Sequence, residues 1–340
     1  MSVYLTIAQI NTLVGDIPGN TAKVLASACA AIAQGAVDAV IFPELTLTGY
    51  PPEDLLLRPS LGLRIERALN ELIAAKLPVA LIVGYPRFKQ GQLFNMAGVI
   101  ADGQLVAEYA KQYLPNYQVF DEKRYFTAGD SACVFSLKGV PTALSICEDV
   151  WYPEPMAQAK AAGAQLMISL NASPYHQRKQ LEREAIVAQR AREGGMPVVY
   201  ANLVGGQDEL VFDGDSFQLD ENGSELVTAG LAPGLYTPAS NNVGKQEPHV
   251  ALFDVLVIGL RDYIKKTGQR KVVLGLSGGI DSALCAAIAK EAVGAENVTG
   301  VLLPSRYSSD HSLSDAKQLA ENLGIEHRTI PIDLAHKAFE

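Results

Sequence analysis

One loop and three scattered side chains have the composition for chemistry. The loop is Ser277-Gly278-Gly279-Ile280-Asp281-Ser282, set between the apolar runs 271–276 and 283–289. A Gly-rich turn from a buried strand into a helix aims free backbone N–H groups at an anion. Two glycines admit the anion closely and two hydroxyls add donors, so the turn suits a pyrophosphate. No lysine follows the glycines, which separates it from the G-x-x-x-x-G-K-[ST] loop. The competing reading is an ordinary strand-to-helix turn. Elsewhere Glu44 follows the apolar run 40–43, Lys111 lies beside a strand end, and Cys147 stands where the run 142–146 gives way to a helix start. Taken singly, a buried thiol at a strand end is more often inert filling, and a strand-terminal Glu or Lys ordinarily reaches solvent.

The elements that must position these groups alternate. Strand patterns are predicted at 4–10, 39–42, 79–85, 94–101, 141–146, 166–170 and 198–202, and helical patterns at 20–34, 61–75, 155–162 and 177–193. Such alternation predicts an α/β fold. Asp102-Gly103 and Asn222-Gly223 are two-residue hairpin signals, so antiparallel pairs are expected as well and the sheets are mixed. Between 232 and 248 the chain turns rich in Pro, Gly, Asn and Ser and loses apolar periodicity. The domain boundary is placed there, giving domains 1–245 and 246–340. A helix at 251–266, the strand and phosphate turn, and further elements at 298–303, 313–323 and 327–332 begin a doubly wound unit. That unit is expected to be incomplete at Glu340.

Composition narrows the functional classes. The 340 residues carry a net charge of −9, which argues against a nucleic-acid partner held through phosphates. Cys29, Cys133, Cys147 and Cys285 show neither disulfide nor metal-ligand spacing, so a reducing, cytoplasmic setting without zinc is expected. No apolar run approaches the roughly 20 residues of a membrane span, and the first residues lack a targeting pattern.

Taken together and in order, Glu44, Lys111 and Cys147 resemble the Glu-Lys-Cys triad of the nitrilase, or carbon–nitrogen hydrolase, superfamily. The resemblance rests on residues 42–50 (Phe-Pro-Glu-Leu-Thr-Leu-Thr-Gly-Tyr), 147–151 (Cys-Glu-Asp-Val-Trp), 121–129 and 171–174. It implies a nitrilase-like αββα sandwich with Glu122 as auxiliary glutamate. The chemistry is coherent. Amide cleavage needs a nucleophile able to form an acyl intermediate, which Cys147 does as a thioester. Lys111, with the backbone N–H after Cys147, would stabilise the oxyanion and favour thiolate. Glu44 would act as general base and acid, with Glu122 orienting Lys111.

The 277–282 loop resembles the SGGxDS loop of ATP pyrophosphatases. A nitrilase-like domain followed by that loop, with the segments 303–310, 314–320 and 322–325, is similar to glutamine-dependent NAD⁺ synthetases. That resemblance implies a ligase making NAD⁺ from deamido-NAD⁺, ATP and glutamine, with AMP and pyrophosphate as products, in a homo-oligomer. It further implies glutamine contacts at Tyr50, Tyr117, Trp151, Ser173 and Lys179. ATP contacts would fall at Ser277, Gly278, Gly279, Asp281, Ser282 and Arg306, with Mg²⁺ at Asp281 and no cofactor in the glutaminase site. Lys179 departs from the pattern, because an arginine would grip a carboxylate bidentately and a lysine acts as a point charge. Wall packing by the aromatics, and a solvated face for Lys179 beside Arg178 and Arg183, are the plainer readings. So are a stand-alone amidase for another amide and a non-catalytic nucleotide-binding module. The chain is expected to hydrolyse glutamine without completing NAD⁺ synthesis. NAD⁺ formation from ammonia by protein of this length, followed chromatographically, would overturn that expectation.

Overall fold

A computed structural model describes residues 3–238, 247–306 and 308–339. The expected boundary between residues 245 and 246, and Tyr307 of the 303–310 segment, lie outside the described residues. The chain divides into two units, residues 1–207 with 212–245, and residues 208–211 with 246–340.

Up to residue 236 the order is β1 (Leu5–Gln9), α1 (Ile17–Gln34), β2 (Ala39–Ile41), α2 (Ser60–Ala74), β3 (Ala80–Lys89), β4 (Gln92–Ala101), β5 (Gln104–Ala110), β6 (Val134–Leu137), β7 (Val140–Ile146), α3 (Pro153–Ala161), β8 (Leu166–Asn171), α4 (Lys179–Gly194), β9 (Val198–Asn202), β10 (Val204–Gln207), β11 (Leu210–Asp213), β12 (Phe217–Leu219), β13 (Glu225–Thr228) and β14 (Gly234–Tyr236). Two six-stranded sheets form, ordered β14-β1-β2-β3-β4-β5 and β13-β12-β9-β8-β7-β6. Each is parallel at its centre and antiparallel towards its edges.

Their inner faces share one core, in which Ile7, Ile41, Ile82 and Val99 of the first sheet meet Ile146, Ile168, Leu170 and Val199 of the second. Burying an aliphatic side chain of this size contributes roughly 1.5–3 kcal/mol. Strands covered on both faces read as continuous apolar runs, which is why their signal in the sequence was strong. Outside the second sheet, Met156 and Ala159 of α3 and Val187 and Ala191 of α4 pack on Met167, Val198 and Tyr200. Outside the first, α2 turns Leu61, Ile65, Leu69 and Leu72 inward against β3. The layers are therefore αββα.

Local chemistry moved several boundaries. Helix α1 starts at Ile17 rather than at residue 20, because the Asp16 side chain accepts the Gly19 N–H and Pro18 is tolerated in the first turn. Asp102 and Gly103 both have positive φ and turn β4 tightly into β5. Asn222-Gly223 instead lies in the longer connection 220–224, where Asp220 Oδ1 accepts the N–H groups of Asn222 and Ser224. Strand β14 arises within the stretch read as linker from 232 onward. Backbone pairing to β1 needs no apolar alternation, and the Gln9 side chain holds the approach by donating to the Gly230 and Ala232 carbonyls.

The second unit contains α5 (Pro248–Lys266), β15 (Val272–Gly275), α6 (Ile280–Val293), β16 (Val298–Leu302), α7 (Asp310–Leu323), β17 (Glu326–Thr329) and α8 (Asp333–Phe339). Its three strands are parallel in chain order, a Rossmann-like βαβαβ arrangement. Leu276, Ala286, Ala289, Val298, Leu302, Ala316 and Ala320 form its core.

Gly84 of β3 passes directly under the turn that carries Glu44: a Cβ there would collide with Leu45 N and lie 2.7 Å from the Pro43 carbonyl oxygen. Gly84→Ala is expected to cost about 1–3 kcal/mol of stability in urea unfolding and to lower any activity that depends on Glu44.

Candidate active site

Glu44, Lys111 and Cys147 each sit just past a strand end. Glu44 follows β2, Lys111 follows β5 and Cys147 follows β7. The turn after β2 is held by the Leu47 N–H on the Gly84 carbonyl and by the Thr46 hydroxyl on the Pro43 carbonyl. Lys111 is fixed through its own N–H on Asn95 O and its carbonyl on the Gly129 N–H. Cys147 opens a 3₁₀ turn, Cys147–Trp151, in the left-handed region with φ 45. For a residue with a Cβ this backbone costs of order 1–3 kcal/mol and persists only where the surroundings over-determine it. Ligand sites in open α/β sheets commonly lie beyond such carboxyl ends.

The side chains converge on one buried ammonium. Lys111 Nζ lies 2.7 Å from Glu44 Oε1 and 2.8 Å from Glu122 Oε1, and is fully buried. Glu44 Oε1 also accepts Asn95 Nδ2 at 2.7 Å, and Oε2 accepts the Ala172 N–H at 3.1 Å. The Tyr50 hydroxyl donates to Glu122 Oε1 at 2.8 Å. Two carboxylates thus share one cation where water is scarce. Burial pushes Glu122 up to about 6, with Lys111 opposing and Glu44 reinforcing the rise. Burial works against the charge on Lys111 too, but Glu122 and Glu44 outweigh it and hold the ammonium well above its ordinary value.

The Cys147 thiol is buried within reach of the same charges. Burial and then Glu44 raise it well above its ordinary value, and Lys111 only partly counters them. Lys111 favours the thiolate, as expected, but burial and Glu44 outweigh it. The group is a thiol in need of a base, and Glu44 is the carboxylate that most strongly affects it.

Of the five residues expected to contact an amino-acid substrate, three gather around Glu148. The Tyr117 hydroxyl lies 3.1 and 3.2 Å from the two Glu148 oxygens. The Lys179 ammonium stands 4.0 Å from the centre of the Trp151 ring, 3.7 Å from Glu182, and stabilises the Glu148 charge electrostatically. Tyr50 instead packs against the Lys111 centre. Ser173 is buried next to Ala172, with its N–H on Asn202 Oδ1. The neighbouring cation Arg183 does not share a solvated face with Lys179. Arg183 is fully buried and doubly bonded to Asp213 at 2.6 and 2.9 Å, which anchors the start of the helix.

Glu148, Asp149 and Asn95 were not singled out from the sequence. The first two lay inside the quoted 147–151 segment, and a lone Asn in the apolar run of β4 was the signal for the third.

In the second unit the Gly-rich turn is held by its own hydroxyls. Ser282 Oγ accepts the Ser277 N–H at 3.2 Å, lies 3.1 Å from Ser277 Oγ and donates to Gly279 O, while Ser277 Oγ accepts the Gly279 N–H. Gly278 has φ 79, and a Cβ there would strike the Ser312 backbone, so only glycine serves. Asp281 is exposed in the first turn of α6. Arg306 is exposed in the loop after β16, and its N–H donates to Asp333 Oδ1. Among the described residues no cluster of three His, Cys, Asp or Glu side chains is arranged for a metal.

Two family models match the chain. The family model for carbon-nitrogen hydrolase matches residues 5–243, and that for NAD synthase matches residues 252–340. The glutamine-dependent NAD(+) synthetase of Xanthomonas campestris pv. campestris (strain 8004) is 42% identical over 350 residues, covering 98% of this chain and 63% of that protein. The structure of glutamine-dependent NAD⁺ synthetase from Acinetobacter baumannii in complex with ADP superposes with a TM-score of 0.96 at 36% identity, over 100% of this chain and 66% of that one. An amidase from Nesterenkonia sp. AN1, solved with the product of acrylamide addition at its active-site cysteine, gives 0.64 at 26% identity over 69% and 92% of the two chains. The chain thus spans less than two thirds of the length of the synthetases it matches.

The crowding of carboxylates makes stability pH-dependent. With its value raised from 4.5 to about 6 on folding, Glu122 contributes stability below about pH 4.5 that is lost as pH rises through about 6. Glu122→Gln is expected to flatten this fall by roughly 1–2 kcal/mol, read from urea midpoints at pH 4.5 and 6.5.

Proposed function

The chain belongs to the carbon-nitrogen hydrolase family, and on that premise we propose that its first domain, residues 1–245, hydrolyses glutamine. Residues 246–340 then form part of an ATP-dependent NAD⁺ synthetase domain that uses the released ammonia. The observation that carries the reading is the convergence of Glu44, Lys111, Glu122 and Cys147 beside a second, oppositely charged pair, Glu148 and Lys179. Such a pair suits the α-ammonium and α-carboxylate of a free amino acid, with Tyr117, Trp151 and Ser173 as walls. A simple amide carries no charged group to meet either of them.

Chemistry follows from the protonation states. Cys147 Sγ attacks the side-chain carbonyl as Glu44 takes its proton, so the thiolate never stands alone. Two of the three ammonium protons of Lys111 are held by Glu44 and Glu122, and the remaining one faces the developing oxyanion. The backbone N–H of Glu148, in the first turn of the 3₁₀ segment, is the second donor. Glu44 returns its proton to the departing nitrogen, the C–N bond breaks and ammonia leaves a thioester. Glu44 then deprotonates a water that attacks the thioester. Collapse frees glutamate as Glu44 returns the proton it took from water to the departing sulfur, which restores the Cys147 thiol.

In the second domain Ser277, Gly278, Gly279, Asp281 and Ser282 would hold the phosphates of ATP, with Arg306 reaching the nucleotide from the loop after β16. The ADP complex of the Acinetobacter relative supports nucleotide binding by this fold. Mg²⁺ commonly binds through one or two carboxylates plus substrate phosphates. Asp281, exposed in the first turn of α6, fits that pattern, and the ion would offset phosphate charge there. The products would be AMP, pyrophosphate and NAD⁺. Four cysteines outside any disulfide suit a cytoplasmic enzyme.

The purified chain is expected to release ammonia from glutamine in strong preference to acetamide or nitriles. Lys111→Ala should lower that rate roughly 10²–10³-fold, while a glutamine-like diazoketone should label Cys147 in mass spectrometry. Equal turnover of simple amides would favour a stand-alone amidase, and an unlabelled Cys147 would leave a non-catalytic module.

A further inference from the structure

Asp149 takes no part in the chemistry above, yet it is fully buried and its carboxylate is saturated. Oδ1 accepts the N–H groups of Gln112 at 3.0 Å and Tyr113 at 2.8 Å; Oδ2 accepts the Ile146 N–H at 3.0 Å and the Tyr109 hydroxyl at 2.8 Å. Gln112 immediately follows Lys111, and Ile146 immediately precedes Cys147. We propose that Asp149 is a positioning residue, a single carboxylate that sets the spacing between the strand end bearing the ammonium and the turn bearing the thiol.

The topology shows why such a device is needed. Lys111 follows β5, at the edge of one sheet, and Cys147 follows β7, in the other, so no ladder hydrogen bond joins the two strand ends. Nonpolar packing between sheets leaves sliding of a few tenths of an ångström inexpensive, whereas a thiol and an oxyanion donor must stay aligned with one carbonyl. Asp149 supplies a directional link between the residues that adjoin Lys111 and Cys147. As third residue of the 147–151 turn it reaches back to the N–H ahead of that turn, the return half of a capping box. Its other oxygen captures two successive N–H groups of the opposite strand end. The N–H it accepts from Ile146 lies immediately before the left-handed backbone of Cys147. Only an ionised carboxyl accepts from four donors at once; an amide of the same shape has one acceptor oxygen and turns an NH₂ towards at least one of them.

The proposal rests on the glutaminase reading for its effect on turnover, but not for its effect on the thiol. Cys147 is faced by the carboxylates of Glu44, Glu148 and Glu122, by the ammonium of Lys111 and by the phenols of Tyr50, Tyr117 and Tyr200. Among these Lys111 is the group that favours thiolate. Loss of its alignment therefore raises the pH at which the thiol reacts.

The test is Asp149→Asn in the full chain, with two readouts: glutaminase kinetics, and the pH midpoint of Cys147 alkylation by iodoacetamide followed by peptide mass spectrometry. The expected result is a kcat lowered at least 10-fold, a KM within about 3-fold of the parent, and an alkylation midpoint moved upward. A folded variant with the parent's kcat, or with an unmoved midpoint, overturns the proposal, since a merely structural role lowers the melting temperature without shifting either. If Asp149→Asn does not fold, Tyr109→Phe is read in its place. It removes one donor and keeps three, and should move kcat and midpoint in the same directions by less; an unchanged midpoint and kcat there also overturns the proposal. A parent chain inactive on glutamine defeats the glutaminase reading alone, and the alkylation midpoint still decides the role of Asp149.

Discussion

The organising constraint is one buried ammonium set against two carboxylates and a thiol. Lys111 neutralises a single negative charge, yet Glu44 and Glu122 both bond to it where solvent is excluded. A surplus anion in such a place is costly. The structure answers by raising Glu122 to about 6 and by keeping Cys147 as a thiol. An exposed triad of the same residues would lose its interactions to screening and would have no reason to shift proton affinities.

That pocket exists because two sheets present their strand ends at one place. The αββα layering brings β2 from one sheet and β7 from the other to a common rim, with β5 supplying the cation from a sheet edge. Backbone devices then do the fine positioning: the absent side chain at Gly84, the left-handed turn at Cys147, and the polar ties through Asn95, Ala172 and Asp149. The position of Lys179 follows the same logic, since the buried Arg183–Asp213 pair fixes the start of α4.

The Gly-rich turn of the second unit depends on local geometry instead. Its two serines bond to each other and to the backbone between them, and Gly278 takes a conformation closed to other residues. Little beyond the strand, the helix and the neighbouring Ser312 backbone is needed to shape it. This locality explains why six consecutive residues were enough to recognise it.

The sequence alone determined the alternating α/β plan and the central strands, and its resemblances pointed to the Gly-rich turn and to Glu44, Lys111 and Cys147. Each is carried by short-range pattern or by residue types that few other contexts require together. It did not determine the sheet edges. β14 and the 220–224 connection depend on backbone pairing and on an Asp side chain rather than on apolar periodicity. Nor did it show how strongly burial disfavours the thiolate, that Arg183 is buried, or that Glu148, Asp149 and Asn95 lie among these groups. Those properties come from which groups surround a residue and how little water remains there, and residues 44, 95, 111, 122 and 149 become neighbours only once two sheets from distant stretches of chain are stacked.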